Sequence, residues 1–116
     1  MKVGEETQKG FLDALSSKEP TPGGGAAAAI ALGQSAALVT MVANLTLGRE
    51  KWSDGWAPAG QAKAVAEPIL ERSLELAADD IDAFDEVMAA WRSPKEEEGR
   101  SNRIQVATVR AAEVPL

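Results

Sequence analysis

The residues best suited to chemistry are the carboxylates of one predicted helix, between Leu70 and Trp91. Its acidic residues are Glu71, Glu75, Asp79, Asp80, Asp82, Asp85 and Glu86. Helical spacing turns most of them toward solvent, but it places Asp80 and Asp85 on opposite flanks of an apolar stripe. Arg92 follows on the flank of Asp85 and could shield it, whereas no cation shares the helical neighbourhood of Asp80.

This difference makes Asp80 the best candidate for general acid–base catalysis. Its neighbours three and four residues away are all apolar: Leu76, Ala77, Ala83 and Phe84. Partial desolvation favours the protonated form of such a carboxylate, so it can exchange a proton near neutral pH. The alternative interpretation is an ordinary boundary aspartate that stays partly hydrated.

A second candidate is the turn Pro20-Thr21-Pro22-Gly23-Gly24-Gly25, which leads into the most apolar segment of the chain. If a helix begins there, its first backbone N–H groups are free and its dipole favours an anion. The turn lacks the Gly-Lys-Ser/Thr of a P-loop, and it does not match the G-x-G-x-x-G pattern that follows a strand. The alternative is a tight turn that only allows two helices to pack.

Further polar residues lie near predicted helix ends. Asn44 falls near the end of the apolar segment, where a buried amide would need a backbone partner or a ligand. Arg49, Lys51 and Lys95 could bind a polycarboxylate ligand, although pairing with the acidic surface is the commoner role of such residues.

Composition narrows the possible chemistry. The 116 residues include no Cys, His or Tyr. A disulfide framework, a thiol nucleophile, a histidine triad and a Cys/His metal centre are therefore excluded, and we expect no metal site. The net charge of −6 disfavours nucleic-acid binding, which needs a basic face, but it allows a local site for a small anion.

Helices must position these residues. We predict helices at residues 5–18, 26–47, 61–92 and 100–114, with a loop at 49–60. The third helix has apolar residues at alternating spacings of four and three, typical of a face that packs on another helix: Leu70, Leu74, Ala77, Ile81, Phe84, Met88 and Trp91. No hairpin pattern occurs. We therefore predict an all-α helical bundle.

The long apolar run from Ala26 to Leu47 could span a bilayer by length alone. Because it is mostly alanine and carries polar residues near its centre, we favour a long buried Ala-rich helix of a soluble protein over a membrane span. The polar first ten residues do not indicate a signal peptide. We expect a cytoplasmic protein without membrane association.

Several segments occur in an order and at spacings that together are specific. They are Phe11–Leu15, Pro20–Gly25, Met41–Gly48, Asp80-x-Asp82-Ala83-Phe84, Pro94-Lys95 and Glu113-Val114-Pro115-Leu116. In this combination the chain resembles the cyclodeaminase/cyclohydrolase family of folate enzymes.

The resemblance implies an all-helical domain that forms homodimers or larger homo-oligomers. It implies one of two reactions: cyclisation of 5-formimidoyl-tetrahydrofolate to the 5,10-methenyl form with release of ammonia, or hydrolysis of 5,10-methenyl-tetrahydrofolate to the 10-formyl form. The folate is the substrate, and no tightly bound cofactor is implied. The family's catalytic aspartate corresponds to Asp80.

The resemblance also implies substrate-binding residues. The glycine-rich turn, with Pro22, Gly23, Gly24 and Gly25, would form a wall of the site. Asn44 would hydrogen-bond the pterin or the one-carbon bridge, and Lys51 would suit the glutamyl tail of the folate.

The chain departs from the family pattern in places. Ala26 stands where a serine usually follows the three glycines, Trp52 where a tyrosine is frequent, and Ser93 where a leucine is common. The family domain also continues beyond the Val-Pro-Leu segment. We therefore expect residues 1–116 to form a single, C-terminally truncated cyclodeaminase-like domain whose exposed apolar faces are covered by oligomerisation. The alternative function is an inactive truncated paralogue that serves as a folate-binding or helical assembly module.

Overall fold

The computed structural model describes residues 1–94 and 98–114, and these residues form helices without any strand. The four α-helices are α1 (Gln8–Leu15), α2 (Gly24–Thr46), α3 (Trp56–Arg92) and α4 (Arg100–Glu113). Short 3-10 segments occupy Val3–Glu5 and Glu50–Gly55. The all-α prediction is confirmed. The predicted loop at 49–60 is wrong in its second part, because α3 begins five residues before Gln61.

The chain divides into two compact units. One comprises Met1–Ala28 with Glu75–Leu116, and the other comprises Ala29–Leu74. We call them the terminal unit and the central unit.

The terminal unit has a core of mostly small side chains. Its buried apolar residues are Val3, Phe11, Pro22, Ala26, Ala77, Ile81, Ala83, Ala90 and Ala107. Because alanine adds little thickness to a helix, helices that meet through alanine can approach closely. Ile81 is the largest of the fully buried side chains, with 2% of its surface exposed.

Arg100 links the start of α4 to the end of α3. Nε of Arg100 donates to the carbonyl oxygen of Ser93, and Nη2 donates to that of Trp91, both at 3.0 Å. The guanidinium also lies over the Trp91 ring, 5.4 Å from its centroid. Arg100 therefore satisfies carbonyl groups at the end of α3 that have no helical partner.

In the central unit, α2 and α3 meet through Gly33 and Ser73, both of which are buried. A Cβ placed on Gly33 would lie 2.7 Å from Cβ of Ser73, well inside the normal separation of packed carbon atoms. The Ser73 hydroxyl is satisfied by the Leu70 carbonyl at 2.9 Å. A side chain at position 33 would therefore force the two helices or Ser73 to shift at this crossing.

The prediction that the Ala-rich helix is buried holds along one narrow stripe of α2 in the single chain. Ala26, Gly33, Ala36 and Ala43 form this stripe. The other faces expose large apolar side chains: Leu32, Leu38, Val39, Met41, Val42 and Leu45. By length and composition α2 could cross a membrane, and 22% of its most apolar stretch is buried.

The predicted apolar stripe of α3 is buried only in part. Ala77 and Ile81 are in the core, whereas Leu70, Leu74, Phe84 and Trp91 are between 37% and 55% exposed. The spacing correctly identified an apolar face, but only the middle of that face is covered within this chain.

The Gly33–Ser73 crossing generates a stability prediction. Replacing Gly33 with alanine should lower the free energy of unfolding by about 1–3 kcal/mol, because the added methyl overpacks the crossing. Gly60→Ala is the matched control: Gly60 lies in α3, and beyond its chain neighbours and its own helix backbone no described atom lies within 4 Å of the added Cβ. It should be neutral or stabilising by up to about 1 kcal/mol. Urea unfolding measures both, and equal effects of the two substitutions would contradict the close crossing.

Candidate functional site

The glycine-rich turn connects α1 to α2 within the terminal unit. The Thr21–Pro22 peptide bond is cis, and Pro22 is buried. α2 begins at Gly24, and the Gly23 carbonyl accepts a hydrogen bond from the Ala27 N–H at 3.1 Å. The N–H groups of the first helical residues therefore precede the α-helical ladder, as the sequence predicted for a turn that starts a helix.

The carboxylate of Asp80 lies directly on this turn. A Cβ placed on Gly25 would lie 2.6 Å from both Cγ and Oδ1 of Asp80, and still nearer to Oδ2. Ordinary contacts between packed carbon atoms are about 3.5–4.0 Å. A side chain at position 25 and the observed carboxylate cannot occupy the same space, so the absence of a side chain at Gly25 makes room for Asp80.

The surroundings of Asp80 match those predicted from helical spacing. Asp80 is half-buried, and its neighbours Ala77 and Ile81 are in the core. Within residues 1–94 and 98–114, its carboxylate has no hydrogen-bond donor and no ion-pair partner. Its oxygens are therefore available to accept a proton or a hydrogen bond from a ligand.

A second contact joins the same turn to α3. The Thr21 hydroxyl donates to Oδ1 of Asp85 at 2.7 Å. In the described part of the chain, the partner of Asp85 is Thr21, and Arg92, which could have shielded it, forms no ion pair with it. Sequence reasoning missed this contact because the two residues are 64 positions apart, and helical spacing reveals only partners on the same helix.

The structure brings together one part of the predicted site. Asp80 contacts Gly25, and Pro22, Gly23 and Gly24 belong to the same turn. Asn44 and Lys51 belong to the central unit instead. Asn44 is exposed rather than buried, because the buried stripe of α2 passes through the adjacent Ala43.

Lys51 lies in the 3-10 segment after α2. Its Nζ is 4.8 Å from the centroid of the Trp52 ring, a cation–π contact, and both side chains are exposed. Trp56 closes the end of α2 nearby, since its Nε1 donates to the carbonyls of Thr46 at 3.0 Å and Arg49 at 3.2 Å. Lys95 and the Pro115-Leu116 end of the last family segment lie outside the described residues.

The terminal unit also holds a polar groove on α3 and α4, away from the helical flank of Asp80. It is lined by Asp79, Asp82, Glu86, Arg110 and Glu113, and Arg110 pairs with Glu86 at 2.9 Å. Across the part of the chain that the structure describes, no group of three or more acidic side chains is arranged to hold a metal ion. The ion pair gives this groove a structural role in joining α3 to α4.

Comparison with known proteins identifies relatives of the whole chain. A family model described as formiminotransferase-cyclodeaminase matches residues 7–116. A methenyltetrahydrofolate cyclohydrolase of Methylorubrum extorquens is 44% identical over 118 aligned residues, which cover 98% of this chain and 57% of the relative. The crystal structure of formiminotetrahydrofolate cyclodeaminase from Thermotoga maritima superimposes with a TM-score of 0.80 at 31% identity, covering 97% of this chain and 54% of that one. The chain thus spans just over half the length of these relatives.

The contact between Gly25 and Asp80 predicts a coupling that is measurable without any ligand. Gly25→Ala should lower the free energy of unfolding by about 1–3 kcal/mol, because the new methyl meets the carboxylate. In an Asp80→Ala background the same substitution should cost less, giving a coupling energy above about 0.5 kcal/mol.

Gly24→Ala is the control, because beyond its chain neighbours and its own helix backbone no described atom lies within 4 Å of the Cβ it would add. It should show no coupling to Asp80→Ala. Strict additivity of Gly25→Ala and Asp80→Ala in denaturant unfolding would show that the carboxylate does not rest on Gly25.

Proposed function

This chain belongs to the formiminotransferase-cyclodeaminase family, and we propose that it acts in folate one-carbon metabolism by hydrolysing 5,10-methenyl-tetrahydrofolate to 10-formyl-tetrahydrofolate. The family match covers residues 7–116, which supports a single family domain. The relative that carries the cyclohydrolase name is more similar to this chain, at 44% identity, than the cyclodeaminase at 31%. This difference favours hydrolysis as the first candidate reaction.

One observation carries the proposal: the carboxylate of Asp80, which has no partner among the described residues, rests on the glycine turn where α2 begins. A proton-transfer group must reach the substrate with free oxygens. The bare Cα of Gly25 leaves room for the carboxylate beside the turn from which α2 begins, and the free N–H groups of that helix start belong to the same turn.

In this reaction Asp80 moves one proton twice. The oxygen of a water molecule bonds to the carbon between N5 and N10, while a proton passes from that water to Asp80. The bond from the carbon to N5 then breaks, N5 receives the proton from Asp80, and the remaining hydroxyl proton leaves to solvent as the formyl C=O forms. Asp80 ends as the carboxylate it began as, and one proton is released.

The remaining family positions bind the substrate in this proposal. The turn residues Pro22, Gly23, Gly24 and Gly25 form a wall, and free N–H groups there suit an oxygen of the folate. Asn44 hydrogen-bonds the pterin or the one-carbon bridge. Lys51 attracts the carboxylates of the glutamyl tail. The folate is the substrate in this scheme, and no further cofactor takes part.

The second candidate is cyclisation of 5-formimidoyl-tetrahydrofolate with loss of ammonia. The family description and the Thermotoga maritima structure favour it. There N10 bonds to the formimidoyl carbon, and the N10 proton passes to the formimidoyl nitrogen. Asp80 in its protonated form donates a second proton to that nitrogen, the carbon–nitrogen bond breaks, and ammonia leaves the 5,10-methenyl cation while Asp80 is left as the carboxylate. Release of ammonia from the formimidoyl substrate, compared with loss of methenyl absorbance, separates the two reactions.

We further propose that a second copy of the chain covers the apolar faces of α2, and that the protein is a cytoplasmic homo-oligomer. Leu38, Val42 and Leu45 are each more than half exposed. Large apolar side chains grouped on one helix are typical of surfaces that bind a partner.

Asp80→Asn provides the direct test of the catalytic role. The amide keeps the shape but cannot take up the proton, so turnover should fall by about 10²–10⁴-fold. Asp79→Asn is the matched control, an exposed acid of the same helix, and should keep the wild-type rate. Both variants are assayed by loss of methenyl absorbance above the uncatalysed rate, with thermal unfolding to verify the fold.

The outcomes separate the hypotheses. Wild-type turnover that survives Asp80→Asn in a folded protein would refute the role of Asp80. Tight binding of a tetrahydrofolate derivative by the wild type, without turnover in either assay, would instead favour a folate-binding or assembly module.

The exposed apolar face of α2 leads us to predict that the protein is soluble and has at least the mass of a dimer. Without detergent, the protein should remain in the soluble fraction after ultracentrifugation, and light scattering should give at least twice the chain mass of 12.2 kDa. Replacing both Leu38 and Val42 with serine should shift the mass toward a single chain. Recovery only with membranes would show that lipid covers α2.

A further inference from the structure

The turn is fastened to α3 at two points within the terminal unit. Gly25 lies on Asp80, and Thr21 donates to Asp85 at 2.7 Å. Five residues of helix separate the two acids, which is about 7.5 Å along the axis and a little over a third of a turn around it. The turn therefore crosses α3 and makes one contact on each flank of the apolar stripe.

Buried apolar residues neighbour both contacts along the chain. Pro22 and Ala26 on the turn side are buried, as are Ala77 and Ile81 on α3. Apolar burial holds the turn and α3 together, but it is not directional. It therefore does little to fix the position of the turn along the helix. The Thr21–Asp85 hydrogen bond is directional and lies at the typical length for a hydroxyl that donates to a carboxylate.

We propose that Thr21 and Asp85 are positioning residues of the site: their hydrogen bond fixes the glycine turn over Asp80. The inference rests on the proposed function of Asp80. Neither residue needs to touch the substrate. If the bond is cut, the turn shifts relative to the carboxylate, and small displacements of reacting groups reduce rates strongly.

The exposed location of the Thr21–Asp85 hydrogen bond allows a positioning role to be distinguished from a role in stability. Asp85 is exposed and Thr21 is half-buried, so water can replace either partner. Such surface hydrogen bonds contribute little to the stability of the whole fold. A variant that lacks the bond should therefore stay folded while its chemical step slows.

Thr21→Val tests the proposal, because it keeps the shape of the side chain and removes the hydroxyl. We expect kcat to fall about tenfold with a smaller change in KM, and Thr21→Ser, which restores a hydroxyl, to return kcat to within about twofold of wild type. The melting temperature should change by only a few degrees. Thr108→Val is the matched control, because among the described residues that hydroxyl bonds to the Ile104 carbonyl of its own helix alone; it should keep the wild-type kcat.

A second measurement needs no turnover, so it tests positioning even if the folate activity is absent. With the Thr21–Asp85 bond intact, the methyl of Gly25→Ala is forced against Asp80. In the Thr21→Val background the turn can shift, so the drop in melting temperature caused by Gly25→Ala should be at most about half as large.

These results separate the two claims. An inactive wild type overturns the proposed function alone, and the melting temperatures then decide the positioning role. An unchanged kcat in folded Thr21→Val, failure of serine to restore it, or equal temperature drops in both backgrounds would each overturn positioning.

Discussion

The site depends on a missing side chain. Asp80 is half-buried on an apolar shoulder of α3, and its carboxylate occupies the space that a Cβ at position 25 would fill. An alanine there would collide with the acid, so the three-glycine turn serves this structure by allowing close approach, a use that only glycine permits. Both proposed activities would use a carboxylate with free oxygens, and the bare Gly25 leaves room for that carboxylate at the turn.

The same reliance on small residues organises the rest of the fold. α2 is buried through Ala26, Gly33, Ala36 and Ala43, and its larger apolar side chains lie outside this stripe. Small residues on the buried side let helices pack closely within one chain, while the large ones leave an exposed apolar surface. The central unit also contains an open groove of about 520 Å³, lined mainly by apolar residues of α2 and α3 such as Leu32, Val39 and Val65.

The sequence predicted local features well and distant contacts poorly. Glycine and proline delimit α2 closely, since the predicted 26–47 compares with the observed Gly24–Thr46. Helical spacing identified Asp80 as an acid on an apolar shoulder without a local cation. It could not identify Thr21 as the partner of Asp85, because no local pattern relates residues so far apart. Nor could periodicity reveal that Phe84 and Leu74 remain exposed: it identifies an apolar face but not what covers that face.

The most direct test of the central claim is the rate of methenyl-tetrahydrofolate hydrolysis by Gly25→Ala, with thermal unfolding measured alongside. The added methyl displaces the carboxylate without altering any ionisable group. Displacement of a catalytic group by about 1 Å costs on the order of 100-fold in rate. The folded variant should therefore lose most of its activity. A folded Gly25→Ala protein that hydrolyses the substrate at the wild-type rate would contradict the account.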